Sequence, residues 1–240
     1  MKCAKVIVFY FGERRTGSNN LNTVDILDGI VNLETSLDKG FDTDTFIVVN
    51  SSDKVTDSIV DKYDNLPTKN GKLRVFKRQN TGMSFGGYLD TFNQFKREYD
   101  YWFFVEDDVI LHKPKYVMEF INELNSTSAN FIALSPISNY HHPHCGGGCG
   151  LTSTAEMEKI YPNEVIVDIL NNWAQYRGYD AASGKLNGNN AEIMFTREFR
   201  LANHHKFSPL CDNYKTHTSQ RKFINDVNLS KEFIYSVGTI

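Results

Sequence analysis

The segment 101–112 constrains the fold of this chain more than any other part of the sequence, because a run of apolar residues leads directly into three acids. Residues 101–105 are all apolar or aromatic, a pattern typical of a strand buried on both faces of a parallel sheet. Glu106, Asp107 and Asp108 follow without a break. Carboxylates at the end of a buried strand are costly unless a cation offsets their charge, and oxygen ligands suit a divalent metal ion.

The same acids fit a plainer interpretation, a solvated turn after an edge strand. The unbroken apolar run before them makes an exposed edge the weaker interpretation. If the strand is buried in an open parallel sheet, its carboxyl end is where ligands of such folds bind. The arrangement of the other elements therefore decides what the acids do.

Strand-length apolar runs alternate with helical patterns in the first half of the chain. The strands are predicted at residues 5–11, 45–49, 73–76 and 101–105. The spacing of apolar residues predicts helices over 21–38, after Asp53 and after Ser84, and either of these two residues can cap a helix. The order β-α-β-α-β-α-β predicts a parallel sheet with right-handed crossovers.

The second half of the chain is predicted to add more helices and one strand. These elements are, in order, a helix after Pro114, a strand over 131–135, a helix capped by Ser153 and Glu156, a helix opened by Pro162 and a helix through 192–202. Two glycine-rich loops, 136–150 and 178–190, lie between them.

Composition places the chain among globular proteins. Its 240 residues are 40% hydrophobic, enough for a full core, and its net charge is −3 with acids and bases interspersed. A nucleic-acid-binding protein would present a basic face, and no apolar run approaches the ~20 residues of a membrane span. The first apolar stretch is too short for a signal peptide, and four cysteines are ordinary in a reduced compartment. We therefore expect a soluble cytoplasmic protein.

Two features together resemble the GT-A-fold glycosyltransferases. The first is the alternating β-α-β half that ends in Glu106-Asp107-Asp108, which matches the D-x-D motif of that superfamily. The second is Asn80-x-Gly82 followed by FGGY at 85–88, which resembles the stretch before the D-x-D strand in many family-2-like enzymes. Such small enzymes occur in bacterial polysaccharide systems and in large DNA viruses. The resemblance covers roughly residues 1–200.

The resemblance implies a Rossmann-like α/β fold with a mostly parallel sheet and helices on both faces, in a single GT-A domain over 1–240. Residues 1–111 would bind the nucleotide-sugar and 112–240 would form the acceptor side. The implied activity is metal-dependent transfer of a sugar from a UDP- or GDP-type donor to a hydroxyl of a glycan or glycoconjugate, with Mn²⁺ or Mg²⁺ as the cofactor.

The acidic triplet has distinct roles by the same resemblance. Asp108 would ligate the metal directly, with Glu106 as a further ligand. Glu106 and Asp107 would lie nearer the ribose and the water shell of the metal. A cation held there would neutralise the leaving diphosphate.

Histidines and cysteines are the other possible metal ligands. Several GT-A enzymes supply a C-terminal histidine to the metal, and His217 fits that role, with a surface histidine as the alternative and His204 and His205 as competitors. The crowded histidines and cysteines of 141–149 could instead bind zinc, but their C-x3-C spacing is not a standard one. A tight glycine turn at 146–150, on the acceptor side, is the expected structure.

Residues at the ends of the first two strands are candidates to bind the base. Phe9, Tyr10 and Phe11 can stack on it, although the alternation of a strand places two of the three in the core. Asn50 and Ser51 lie where base contacts usually occur in this fold, or else form a plain turn.

The segment around residue 80 is a candidate to bind the donor phosphates. Arg78 faces the phosphates or pairs on the surface. Asn80 belongs to the motif described above, and Gly82, Gly86 and Gly87 let the backbone approach the donor, or else serve a tight turn and helix packing.

An inverting transfer needs a base that deprotonates the acceptor hydroxyl. Glu192 is the candidate, because its separation from Asp108 is similar to that between D-x-D and base in inverting GT-A enzymes. An acid favoured by the helix dipole is the alternative. Asp168 and Asp180 are weaker rivals. Whether the transfer inverts or retains configuration stays open.

Two other functions fit the predicted fold. A nucleotidyltransferase that makes sugar nucleotides usually has a glycine-rich basic loop after its first strand, whereas residues 12–15 hold one glycine. A non-catalytic nucleotide-sugar binder would not need both the acidic triplet and Glu192.

Overall fold

The computed structural model describes residues 1–10, 23–50, 57–107, 109, 111, 113–127, 129–134, 136–137, 144–172, 179–180, 185–186, 195 and 199. Its helices are α1 (Thr23–Ser36), α2 (Asp57–Tyr63), α3 (Met83–Phe95), α4 (Tyr116–Ser126), α5 (Thr154–Ile160) and α6 (Asn163–Asn171). Its strands are β1 (Cys3–Tyr10), β2 (Thr43–Asn50), β3 (Pro67–Thr68), β4 (Gly71–Arg78), β5 (Tyr101–Glu106), β6 (Phe131–Ala133), β7 (Pro136–Ile137), β8 (His144–Cys145), β9 (Gly150–Ser153), β10 (Tyr179–Asp180) and β11 (Lys185–Leu186).

The predicted parallel α/β sheet is confirmed. The main sheet has the order β3-β4-β2-β1-β5-β9-β6, and β4, β2, β1 and β5 are mutually parallel. The chain moves outward from β1 to β2 and β4, and then returns to the other side of β1 to form β5. The direction of strand addition therefore reverses between β1 and β5, and ligands of open α/β sheets bind at the carboxyl ends of the strands at such a point.

Helices cover both faces of the sheet, as predicted. One core contains Ile7, Val49 and Phe103 with apolar residues of α1, α2 and α4. The other contains Val8, Val48 and Phe104 with apolar residues of α3, α5 and α6. Because successive residues of a strand point to opposite faces, every central strand must be apolar at consecutive positions. This requirement explains the unbroken apolar run at 101–105.

Strand β9 was not predicted. It lies antiparallel between β5 and β6, so the predicted fifth strand pairs with β9 and not with β5. The four residues GLTS show no strand pattern. The sequence analysis placed the first, Gly150, in a loop and the last, Ser153, at a helix cap. Gly150 makes the pairing possible, because a Cβ there would lie 2.3 Å from the Phe131 ring and 2.4 Å from the Ile132 carbonyl oxygen.

Two predicted helix caps have different outcomes. Ser153 caps α5, and its side chain accepts a hydrogen bond from the backbone amide of Glu156 at 3.2 Å. Ser84 does not cap α3, whose N-cap is Gly82 without a side-chain cap hydrogen bond.

None of the described helices is long and apolar enough to cross a membrane. Of the helix predicted through 192–202, only Phe195 and Phe199 lie within the described residues.

A buried ionic cluster fixes α1 to the amino edge of the sheet. Glu34 of α1 accepts hydrogen bonds from Lys5 of β1 and, at 3.2 Å, from the Thr45 hydroxyl of β2. The Lys39 ammonium lies 3.3 Å from the same carboxylate, and both lysines and Glu34 are at most 2% exposed. Burial alone would raise the pKa of Glu34, but the two ammonium groups outweigh that effect and lower it.

We predict that Glu34→Gln lowers the free energy of unfolding at pH 7 by about 3–5 kcal/mol, because two buried ammonium groups lose their counter-charge. Denaturant titration measures the loss, and Glu98→Gln, which alters a half-exposed pair with Arg74, should change stability little. The pKa of Glu34 is lowered on folding, so its contribution is present above the unfolded pKa of about 4.3 and is lost as pH falls. The difference between the two proteins should therefore shrink at acid pH, and a pH-independent difference would contradict the assignment.

Candidate active site at the carboxyl edge of the sheet

The four parallel strands end in polar residues whose side chains share one face of the sheet. Tyr10, Asn50, Arg78 and Glu106 are the last residues of β1, β2, β4 and β5. Tyr10 pairs in register with Asn50, and Asn50 with Arg78. Strand alternation places all four on the face that α3 covers. The N-terminus of α3 therefore lies among four strand ends, and the sequence predicts all four as site residues.

Arg78 holds the turn that leads into α3. Its guanidinium donates to the Asp90 carboxylate at 3.1 Å, to the Asn50 side-chain oxygen at 2.9 Å and to the Thr81 carbonyl at 2.9 Å. The side chain is 11% exposed. Burial lowers the pKa of Arg78 from its ordinary value, and Asp90 opposes that shift. In this arrangement Arg78 serves as a brace and pairs with an acid, Asp90, while a contact with donor phosphates stays a prediction.

Asn50 extends the brace to the first residue of α3. Its side-chain nitrogen donates to the Met83 carbonyl at 3.0 Å, while its side-chain oxygen accepts from Arg78. Gly82 and Met83 both have left-handed backbones, with φ of 90° and 48°. A left-handed residue other than glycine is unfavourable, so the hydrogen bonds from Asn50 and Arg78 stabilise a strained turn.

Glycines allow the turn and the sheet to approach closely. A Cβ at Gly86 would lie 2.0 Å from the Thr81 carbonyl oxygen, and one at Gly87 would lie 2.6 Å from the Val8 side chain. These contacts match the tight-turn and helix-packing alternative for the two glycines. Asn80 is exposed in the same turn.

The Glu106 carboxylate is enclosed between α3 and a second turn. Ser84 donates to its Oε1 at 2.6 Å. A Cβ at Gly147, in the 3-10 turn Gly146–Gly148, would lie 2.5 Å from its Oε2. The Tyr88 hydroxyl holds this turn by donating to the Gly147 carbonyl at 3.2 Å. Glu106 is therefore oriented by neighbours on two sides, and the predicted tight glycine turn lies beside it.

Asp107 connects β5 to β1 at the point where strand order reverses. Its Oδ2 accepts from the Tyr10 backbone amide at 2.8 Å. The last residue pair between β1 and β5 is Val8 with Glu106. Asp107 therefore binds β1 beyond the part of that strand that pairs with β5. The carboxylate thereby accepts a hydrogen bond from a strand amide, and Asp107 is fixed at this edge.

The first-strand aromatics divide between core and surface. Phe9 is buried, which removes it as a residue that stacks on a ligand, whereas Tyr10 is 40% exposed at the site. Phe11 and Ser51 lie outside the described residues, as do the predicted metal ligands Asp108 and His217.

An aromatic cluster packs against α3 and β5 next to the site. The sequence analysis did not predict that Phe195 belongs to it. Phe195 packs on Phe85, Tyr88 and Phe104 at ring-centroid distances of 5.3, 6.2 and 5.9 Å. Its carbonyl accepts from the Tyr161 hydroxyl at 2.9 Å. Glu192, the candidate base, lies outside the described residues, but it precedes Phe195 by three positions.

Ser84 and Asp90 were missed as partners of the predicted site residues. The Ser84–Glu106 contact spans 22 positions and the Arg78–Asp90 contact spans 12. Neither separation belongs to a helical or strand period, so periodicity could not have found them. The one available signal was that Ser84 follows the turn glycine and precedes the glycine pair.

The described part of the site offers carboxylate oxygens, which suit a hard cation such as Mg²⁺ or Mn²⁺. Among the described residues no group of three His, Cys, Asp or Glu side chains could hold a metal ion. The side chains of His144 and Cys145 lie outside what the structure describes, and Cys149 is buried. The chemistry of the triplet thus fits the expected cofactor, while the metal itself stays a prediction.

Comparisons with known proteins place this chain in no family. No family model matches it, and no curated protein matches it at a significant level. A cytidylyltransferase from Leptospira borgpetersenii is 17% identical with a TM-score of 0.44 over 73% of each chain. Residues 1–349 of TarS from S. aureus are 15% identical with a TM-score of 0.39, over 66% of this chain and 49% of that one. Both scores are too low to carry an argument about fold or activity, so the fold assignment rests on the sheet topology.

We predict that Arg78→Lys destabilises the protein by about 1–3 kcal/mol, because an ammonium cannot satisfy the three separated acceptors of a guanidinium. Arg74→Lys is the matched control, since Arg74 lies on the same strand and face but contacts Phe46 and Phe95 at the other edge. Both changes should lower stability in denaturant titrations. Hydrogen exchange should accelerate at the amides of 81–86 only in Arg78→Lys, and equal acceleration in both variants would contradict the brace.

Proposed function

We propose that this protein is a nucleotide-dependent transferase, and specifically a metal-dependent glycosyltransferase that moves a sugar from a UDP- or GDP-type donor to a hydroxyl of a glycan. The observation that carries the proposal is the hydrogen bond from the Tyr10 amide to Asp107. It fixes Asp107, the second acid of the sequence triplet, at the point of strand reversal, where open α/β sheets bind their ligands. Diphosphates are too negative to bind beside carboxylates without a cation, which favours a metal-bridged donor.

The described residues have separate parts in this proposal. Tyr10 offers an exposed ring on which the base can stack. Asn50 and Arg78 position the turn before α3, and Ser84 holds Glu106 beside that turn. Asp107 holds the end of β5 against β1.

Asp108, Glu106 and His217 would hold Mn²⁺ or Mg²⁺, with Asp107 beside them, and the bound ion would neutralise the charge of the leaving nucleoside diphosphate. Ser84 already occupies one oxygen of Glu106, so Asp108 is the principal ligand in this proposal. The protein side chains thus orient the donor, while the acceptor hydroxyl needs a separate base.

Glu192 is that base in the proposal. It would take the proton of the acceptor hydroxyl as the oxygen attacks the anomeric carbon and the bond to the diphosphate breaks. Phe195 lies against Phe85 and Tyr88, next to the N-terminus of α3. This packing supports the proposal, because Glu192 precedes Phe195 by three positions and three residues of chain reach no more than about 11 Å.

The reaction class is tested by incubating the full chain with Mn²⁺ and a panel of nucleotide-sugars. Release of a nucleoside diphosphate from one donor supports a glycosyltransferase, because that group is the leaving group of sugar transfer. Release of pyrophosphate from a nucleoside triphosphate and a sugar phosphate indicates a nucleotidyltransferase. Donor binding without turnover indicates a binding protein, and either of the last two outcomes overturns the proposal.

In the same assay Asp108→Asn should abolish metal-dependent donor binding and turnover, because one neutralised carboxylate removes a ligand without changing volume. Asp42→Asn, at the amino edge of β2, is the control and should behave as the wild type. Calorimetry with Mn²⁺ distinguishes the two variants. Unaltered Mn²⁺ affinity in Asp108→Asn would remove this residue from the metal site.

For the base, we predict that Glu192→Gln keeps nucleotide and metal affinity but lowers turnover by about 10²-fold or more. The product should have inverted anomeric configuration by NMR. Glu164→Gln, which changes another acid in the first turn of a helix, should leave turnover unchanged. A retained configuration, or near-normal turnover of Glu192→Gln, would exclude Glu192 as the base.

A further inference from the structure

Two of the exposed large apolar side chains lie at the same edge of the sheet, in the candidate site. Among the described residues, the large hydrophobic side chains that are exposed are Met1, Tyr10, Met83 and Val167. Met1 is the first residue, and Val167 lies alone on α6. Tyr10 and Met83 both lie at the carboxyl edge of the sheet, where Asn50 pairs with Tyr10 and donates to the Met83 carbonyl at 3.0 Å.

The backbone of Met83 is held in an unfavourable conformation that presents this side chain outward. Its φ is 48° and its exposure is 42%. Glycine would adopt this backbone at lower free-energy cost. The exposed Met83 side chain also contributes less to the core than Phe85, two positions later, which is buried. Arg78 and Asn50 nevertheless bind both ends of the turn. Strain that several side chains maintain around an exposed residue is typical of functional sites.

We propose that Met83, together with Tyr10, contacts the base of the nucleotide donor, and that Met83 helps to select a nucleotide over a base-free phosphate. The proposal rests on the proposed function. A base is a flat ring, and an aromatic side chain and a thioether both make favourable contacts with flat rings. The unbranched side chain of methionine can adjust to such a ring, whereas the two flanking side chains Asn50 and Arg78 are fixed by their hydrogen bonds to each other.

The test compares binding of two kinds of ligand by calorimetry in the presence of Mn²⁺. The ligands are the nucleoside diphosphates UDP, GDP and CDP, and pyrophosphate, which has no base. Met83→Ala should weaken the tightest nucleoside diphosphate by about 2- to 10-fold and leave pyrophosphate unchanged. Met83→Leu, which retains the apolar volume, should remain close to the wild type.

Lys115→Ala is the matched control. Lys115 is also an exposed, left-handed residue at the start of a helix, with φ of 63°, and it lies against Gly40 at the amino edge of the sheet. Both alanine variants remove a side chain from the same backbone conformation, so their melting temperatures should change similarly. Only Met83→Ala should lose nucleotide affinity.

The outcomes separate this inference from the proposed function. If the wild type binds a nucleoside diphosphate and Met83→Ala binds it equally well, the inference is wrong and the proposed function stands. If Met83→Ala weakens pyrophosphate as much as the nucleotide, Met83 acts through the phosphate side of the site and the inference is also wrong. If the wild type binds no nucleotide, the proposed function fails and the inference fails with it.

Discussion

Arg78 joins four parts of the candidate site through one guanidinium. It connects the end of β4 with Asn50 of β2, with the turn at Thr81 and with Asp90 of α3. A guanidinium is planar and donates in fixed directions, so the relative positions of these parts depend on one another. The same turn leads into Ser84, which holds Glu106 of β5. The exposed Met83, the turn and the first acid of the triplet therefore form one connected unit.

The two edges of the sheet use charge in different ways. At the amino edge buried carboxylates pair with lysines, as in the Glu34 cluster and at Asp44, which accepts from Lys2 at 2.8 Å and from Tyr99 at 2.7 Å. At the carboxyl edge, Glu106 ends β5 and Asp107 follows it, both at intermediate exposure. Buried pairs hold the fold only while both partners are charged. Acids that remain accessible to water can exchange partners, which is what ligand binding requires.

The fold could be predicted further from the sequence than the site could. Helices and parallel strands follow from periodicity, and the unbroken run at 101–105 identified a strand buried on both faces, as Phe103 and Phe104 confirm. Strand β9 was missed because a four-residue strand that contains glycine has no period. Tyr10, Asn50, Arg78 and Glu106 were predicted as site residues from the resemblance and from their places near strand ends, and the structure places all four at the ends of parallel strands. Their actual partners, Ser84 and Asp90, were not found, since side-chain pairing across elements depends on packing that one sequence does not reveal.

The antiparallel direction of β9 has a consequence for how chains of this architecture can diversify. Strand β6 ends and β9 begins at the same edge, with Ala133 opposite Gly150, so the segment between them leaves and re-enters the sheet beside Glu106. Within this segment, the chain that joins β7 to β8 can change without altering the register of the main sheet, the β7–β8 pairing or the Gly146–Gly148 turn beside Glu106. A library of loops inserted between Ile137 and His144 would keep these strands and the turn in place and vary only the sequence that joins β7 to β8. The register of the sheet therefore restricts sequence change in the strands more than in the chain that joins β7 to β8.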